Sequence, residues 1–135
     1  MRFLCLLFAT MVCASAQAQD AKQWGKSRSQ DFGECRFVGA AAQIMGTVTP
    51  SEIQEAGSCV EGKLEGAKAG FQMIARQPAP AASAALKEFY AAWMSGMRSI
   101  PGLLSQPKDI ARINAAATKQ RLDELWARFE IEAGL

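Results

Sequence analysis

Between residues 49 and 76, apolar or small side chains recur at Ile53, Gly57, Val60, Leu64, Ala67, Phe71 and Ile74, in alternating steps of four and three. That is the period of an amphipathic helix, and it draws one continuous seam down the segment. Its start is marked as well. Thr49 suits the N-cap, Pro50 the first helical position, and Glu52 the third residue of a capping box. A second stripe, Cys59, Gly62, Gly66 and Gly70, runs down another face. Two stripes imply two sets of neighbours, so this segment is expected to be the central helix of a bundle, touching every other one.

Three more helices follow from the same reasoning. The first is expected to begin near residues 27–31 and to run through Phe37, Ala41 and Ile44 to Gly46. The third should span about residue 81 or 83 to 99, with Ala82, Leu86, Phe89, Trp93, Met97 and Ile100 on its apolar face. Pro101-Gly102 should break it, leaving Leu103-Leu104 as a short link. The last helix should start near residues 105–107 and carry Ile110, Ile113, Ala117, Leu122, Leu125, Trp126 and Phe129, with a Glu124–Arg128 pair on its surface. No alternating pattern of strand type occurs. The predicted fold is all-α, a small up-down bundle of about four helices.

The N-terminal stretch has another use. Met1-Arg2 precedes an apolar run over residues 3–14, and Ala16-Gln17-Ala18 supplies the small residues read by signal peptidase. Residues 1–18 are therefore predicted to be a cleaved secretory signal, with Ala14-Ser15-Ala16 as a second acceptable site, and residues 19–135 a single helical domain. The run falls short of the ~20 apolar residues that span a bilayer. Localisation is expected to be periplasmic or secreted, with no integral membrane segment after cleavage.

Cleavage removes Cys5 and Cys13 and leaves Cys35 and Cys59. In an oxidising compartment that isolated pair reads as a disulfide. Each lies about a dozen residues from the turn after Gly46, and a rise of ~1.5 Å per residue puts both at one height in an antiparallel hairpin. The bridge is thus expected to pin the first two helices. It would also turn the glycine stripe toward the first helix, so Gly62, Gly66 and Gly70 are predicted to mark close helix packing, opposite Phe32, Arg28 and Trp24.

Charge and chemistry narrow the function mainly by exclusion. The 15 Lys and Arg fall to 14 without Arg2, against 13 acidic residues, and no basic cluster suggests nucleic acid. The chain has no histidine, which removes Ser-His and Cys-His nucleophiles and histidine metal or haem sites. Glu61 and Glu65 share a helix face, but with Lys63 and Lys68 beside them they read as solvated surface. Met94 and Met97 offer soft sulfur of the kind Cu(I) takes, yet both extend an apolar face and read as core. No catalytic residue, metal or cofactor is assigned, and the chain is not expected to be an enzyme.

What remains is an exported, non-enzymatic protein-interaction module, such as an inhibitor, an immunity protein or an assembly accessory. Its partner would be another envelope or secreted protein. Trp24, Leu103 and Leu104 are the candidate interaction surface. The alternative is a bundle binding a small apolar ligand among Met73, Met94, Met97 and the aromatic residues.

Overall fold

In the computed structural model of the protein, the backbone is described for residues 3–46, 48–76 and 79–135, and side chains within those ranges from residue 20 onward. Four helices follow one another: α1 (Phe3–Met45), α2 (Pro50–Ile74), α3 (Pro80–Leu104) and α4 (Lys108–Ala133). The predicted signal lies outside the residues whose side chains are described. Thr47, Gln77 and Pro78, which the sequence assigns to the two turns, are outside the description altogether.

α2 starts as its sequence dictates. The Glu52 amide donates to Thr49 Oγ1 while Thr49 N–H donates to Glu52 Oε2 at 2.7 Å, closing the capping box ahead of Pro50. The predicted seam is the buried one: Val60, Ala67 and Ile74 are buried, and Ile53, Leu64 and Phe71 pack half-buried against the core.

α1 differs from expectation. It is already helical well before residue 27, and Ala21, Trp24 and Gly25 are buried. Ser27, at the expected start, donates its hydroxyl back to the Gln23 carbonyl at 3.0 Å, a bond compatible with a continuing helix. Gly25 lies inside the helix, where the Trp126 ring occupies the space a side chain would need.

α2 is not the central helix. It packs on α1 and α3 but not on α4 among the described residues, whereas α1 and α3 each touch all three others. α3 holds the middle because its apolar face is widest: Ala82, Leu86, Phe89, Trp93, Met97 and Ile100 are all fully buried. α4 has a narrow stripe, with Ile110 and Ile113 left exposed. Its Arg128 pairs with Glu88 on α3 at 2.9 Å, and Gln120 takes Glu124, so the expected Glu124–Arg128 pair does not form.

α3 also runs through Pro101 to Leu104 rather than breaking. A proline forgoes one intrahelical bond, and tertiary contacts offset it. Leu103 and Leu104 are buried at 4% and 2% exposure. From α1, the buried Gln43 side-chain amide donates to the Leu103 carbonyl at 2.9 Å and to that of Gln106 at 3.1 Å, with Leu104 O at 3.4 Å. Leu103 and Leu104 supply carbonyls of the helix's last turn, which a helix leaves without i+4 partners, and Gln106 lies in the turn just beyond. A side chain sixty residues away caps this helix.

Candidate interaction surface

The disulfide sits where the sequence places it. Cys35 on α1 and Cys59 on α2 are bonded, with Cα atoms 5.5 Å apart. One turn along, a polar cluster continues the same interface. Lys63 Nζ lies 2.9 Å from Asp31 Oδ1 and 2.6 Å from Glu34 Oε2, and Arg28 Nε lies 2.8 Å from Asp31 Oδ2. Hydrogen bonds donated to Glu34 and then Asp31 hold the Lys63 ammonium above the ordinary lysine range, against a smaller opposing effect of burial. The Arg28 guanidinium stacks over Trp24 and Trp93, 5.5 and 5.1 Å from their ring centroids, and its backbone carbonyl accepts from Trp93 Nε1 at 2.9 Å. Asp31 is 3% exposed, yet both of its carboxylate oxygens face cations. The cluster is a structural tie between α1 and α2.

The glycine stripe behaves differently from expectation. Gly62 and Gly66 are exposed, with no neighbouring atom within 4 Å of the place a side chain would take. They do not mark close packing. Gly70 does: the Trp24 indole fills the place of its side chain. Besides Gly25, two more glycines that the sequence pattern did not single out serve the same purpose. A methyl at Gly39 would fall 2.5 Å from Leu104 Cδ1, and one at Gly96 would fall 2.9 Å from Thr118 Cγ2.

The expected interaction surface is also displaced. Trp24 is 9% exposed and stands among Phe71, Phe89, Tyr90 and Trp126, with ring centroids 6.0–6.5 Å away. Its neighbours come from all three other helices, so it is an anchor of the core. Leu103 and Leu104 close the other end of the bundle. None of the three is available to a partner.

Met73, Ile110, Ile113 and Ile131 are exposed on the other helices, but three large apolar side chains are exposed together on the outer face of α1. Phe37 is 75% exposed, Ile44 65% and Met45 76%. With the exposed Ala41 they follow the i, i+4, i+7, i+8 spacing of one helix face. The sequence contains this signal. At ~100° per residue Phe37 stands about 200° around the helix from Cys35, and Cys35 must face α2. The side that carries Phe37 therefore faces away from the bundle.

Among the described residues, three grooves open between helices. One, of ≈ 300 Å³, lies between α1 and α4 with Phe32, Gly33, Ala115 and Ala116 along it and Arg36, Arg112 and Lys119 at its margins. A second, of ≈ 470 Å³, lies where the end of α1 meets the α3–α4 turn, lined in part by Val48, Ile53 and Leu104. The third, of ≈ 210 Å³, is a shallow trough between α3 and α4 beside Ser95, Ser99 and Arg121. Glu61 and Glu65 are exposed, as is Met73, while Met97 is fully buried and Met94 packs against the core. Among the described residues, no group of three or more acidic or cysteine side chains is placed to hold a metal ion. No helix among those residues is long and apolar enough to cross a membrane. No protein-family model, curated protein or solved structure matches the chain.

Proposed function

We propose that this chain is an exported, disulfide-pinned bundle that acts by binding another protein through the outer face of α1. The observation that carries this reading is the exposure of Phe37, Ile44 and Met45 together on one helix face. Large apolar side chains grouped on a surface lose free energy when a partner covers them, and aromatic residues and methionine are enriched at such interfaces. Trp93, Phe89 and Met97 are fully buried, which favours protein binding over a small apolar ligand held among them. Export is supported by the signal-like N-terminus together with a disulfide that persists only where thiols are oxidised.

The test is paired affinity capture from envelope and secreted fractions with the oxidised protein and its Phe37→Ser/Ile44→Ser variant. A partner retained by the first and lost by the second is the expected result. A partner retained equally by both, or a co-purifying lipid or metabolite and no protein, would overturn the reading. The intact mass of the exported product should correspond to a chain beginning at Gln19, or at Gln17.

A further inference from the structure

The groove between α1 and α4 has a chemical character that the exposed apolar face lacks. Its floor is apolar, formed by Phe32, Ala115 and Ala116, and Gly33 leaves it open because no atom stands within 4 Å of the place its side chain would take. Its margins are cationic. Arg36 comes from α1, and Arg112 and Lys119 come from α4, with no carboxylate among the lining residues. Asp123 pairs with Lys119 at 2.5 Å, which leaves Arg36 and Arg112 as the groove's cations that make no ion pair among the described residues. Arg36 is also the immediate neighbour of Phe37, so the groove borders the exposed face of α1.

From this placement we infer that the α1/α4 groove receives an acidic amphipathic peptide segment of the partner, one apolar side chain seated on Phe32 and Ala115 and flanking carboxylates on Arg36 and Arg112. The inference rests on the protein-binding reading above and names the chemistry of that partner. The apolar floor favours an amphipathic chain over a small inorganic anion, which would meet the arginines and leave Ala115 and Ala116 uncovered. Arginine forks at the margin suit bidentate carboxylate recognition. Phe32 is only 4% exposed, so it offers a floor and no stacking platform for a nucleic-acid base.

The experiment is selection from a random displayed peptide library on the oxidised full chain, followed by affinity measurement of individual peptides. Selected peptides are expected to combine acidic residues with an apolar one. Arg36→Glu/Arg112→Glu should weaken them about tenfold or more, while Arg98→Glu on α3 should leave them unchanged. Circular dichroism melts of both variants check that the fold is intact, and both substitutions lie at accessible positions. Selected peptides with no acidic enrichment, or acidic peptides indifferent to the double variant, would overturn the groove assignment. Peptides that lose binding only on Phe37→Ser would overturn it too, yet leave the protein-binding reading standing. Displacement of the peptides by inorganic phosphate at low concentration would assign the site to a small anion. Self-association abolished by the double variant would assign it to a second copy of this chain.

Discussion

The Lys63 ammonium lies 2.9 Å from the Asp31 carboxylate, and each of these residues is one helical turn from a half-cystine, Asp31 before Cys35 and Lys63 after Cys59. The covalent bond and the ion pair are thus consecutive rungs of one interface. Their division of labour follows from physics. The disulfide restricts the unfolded chain, while the ion pair rewards only the native register.

Replacing Lys63 with Met should destabilise the protein by about 1–2 kcal/mol at neutral pH, because one oxygen of the buried Asp31 carboxylate loses its partner. The figure is kept low since the Lys63 side chain is 35% exposed and Arg28 still faces Asp31. The pKa of Lys63 is raised in the folded state. Its contribution is therefore complete below the ordinary value of 10.5 and is lost as pH rises through the higher folded value. From neutral pH upward, denaturant melts should show a constant gap between wild type and Lys63→Met that narrows only in that alkaline range. A gap already closed at about pH 8 would contradict this.

Reduction of the bridge, or Cys35→Ala/Cys59→Ala, should lower stability by about 3 kcal/mol, the loop-closure value for two dozen residues. The melting temperature should fall by roughly 10 °C or more, with the far-ultraviolet helical signature retained, since Asp31–Lys63 and the aromatic core still specify the α1–α2 pairing.

The glycines inside the helices divide into two classes with opposite responses. Gly62→Ala and Gly66→Ala should raise stability by up to ~1 kcal/mol each, because alanine is the better helix former and nothing stands nearby. Gly25→Ala should lower it by about 1–3 kcal/mol, since a methyl there meets the Trp126 ring. Thermal melts of the three variants decide it; destabilisation at Gly66 would place an unseen neighbour on that face.

Gln43→Leu keeps the volume and removes the donor to the α3 and α4-turn carbonyls. A loss of about 1–3 kcal/mol is expected, with faster amide exchange in the last turn of α3 as the specific sign. An unchanged exchange pattern would mean that Pro101 alone does not need this cap.

The sequence by itself determined the helical class, the capping box at Thr49, the seam of α2 and the Cys35–Cys59 pairing. These depend on periodicity, on local hydrogen bonding and on the arithmetic of a hairpin, all of which act between residues near in the chain. It also located the turns closely enough to put both cysteines at one height. The tertiary structure decided which side of each element is covered. Trp24 reads as a free aromatic near a terminus until Phe71, Phe89 and Trp126 gather around it. Pro101 reads as a break until Gln43 caps the turn beyond it. Gly62, Gly66 and Gly70 look alike until a ring meets Gly70 alone among them. Phe37 and Ile44 belong to an apolar run that could face inward or outward, and the disulfide fixes the rotation of α1 that turns them out. Local pattern sets the amount of apolar surface on a helix; long-range packing selects which part of it is left for a partner.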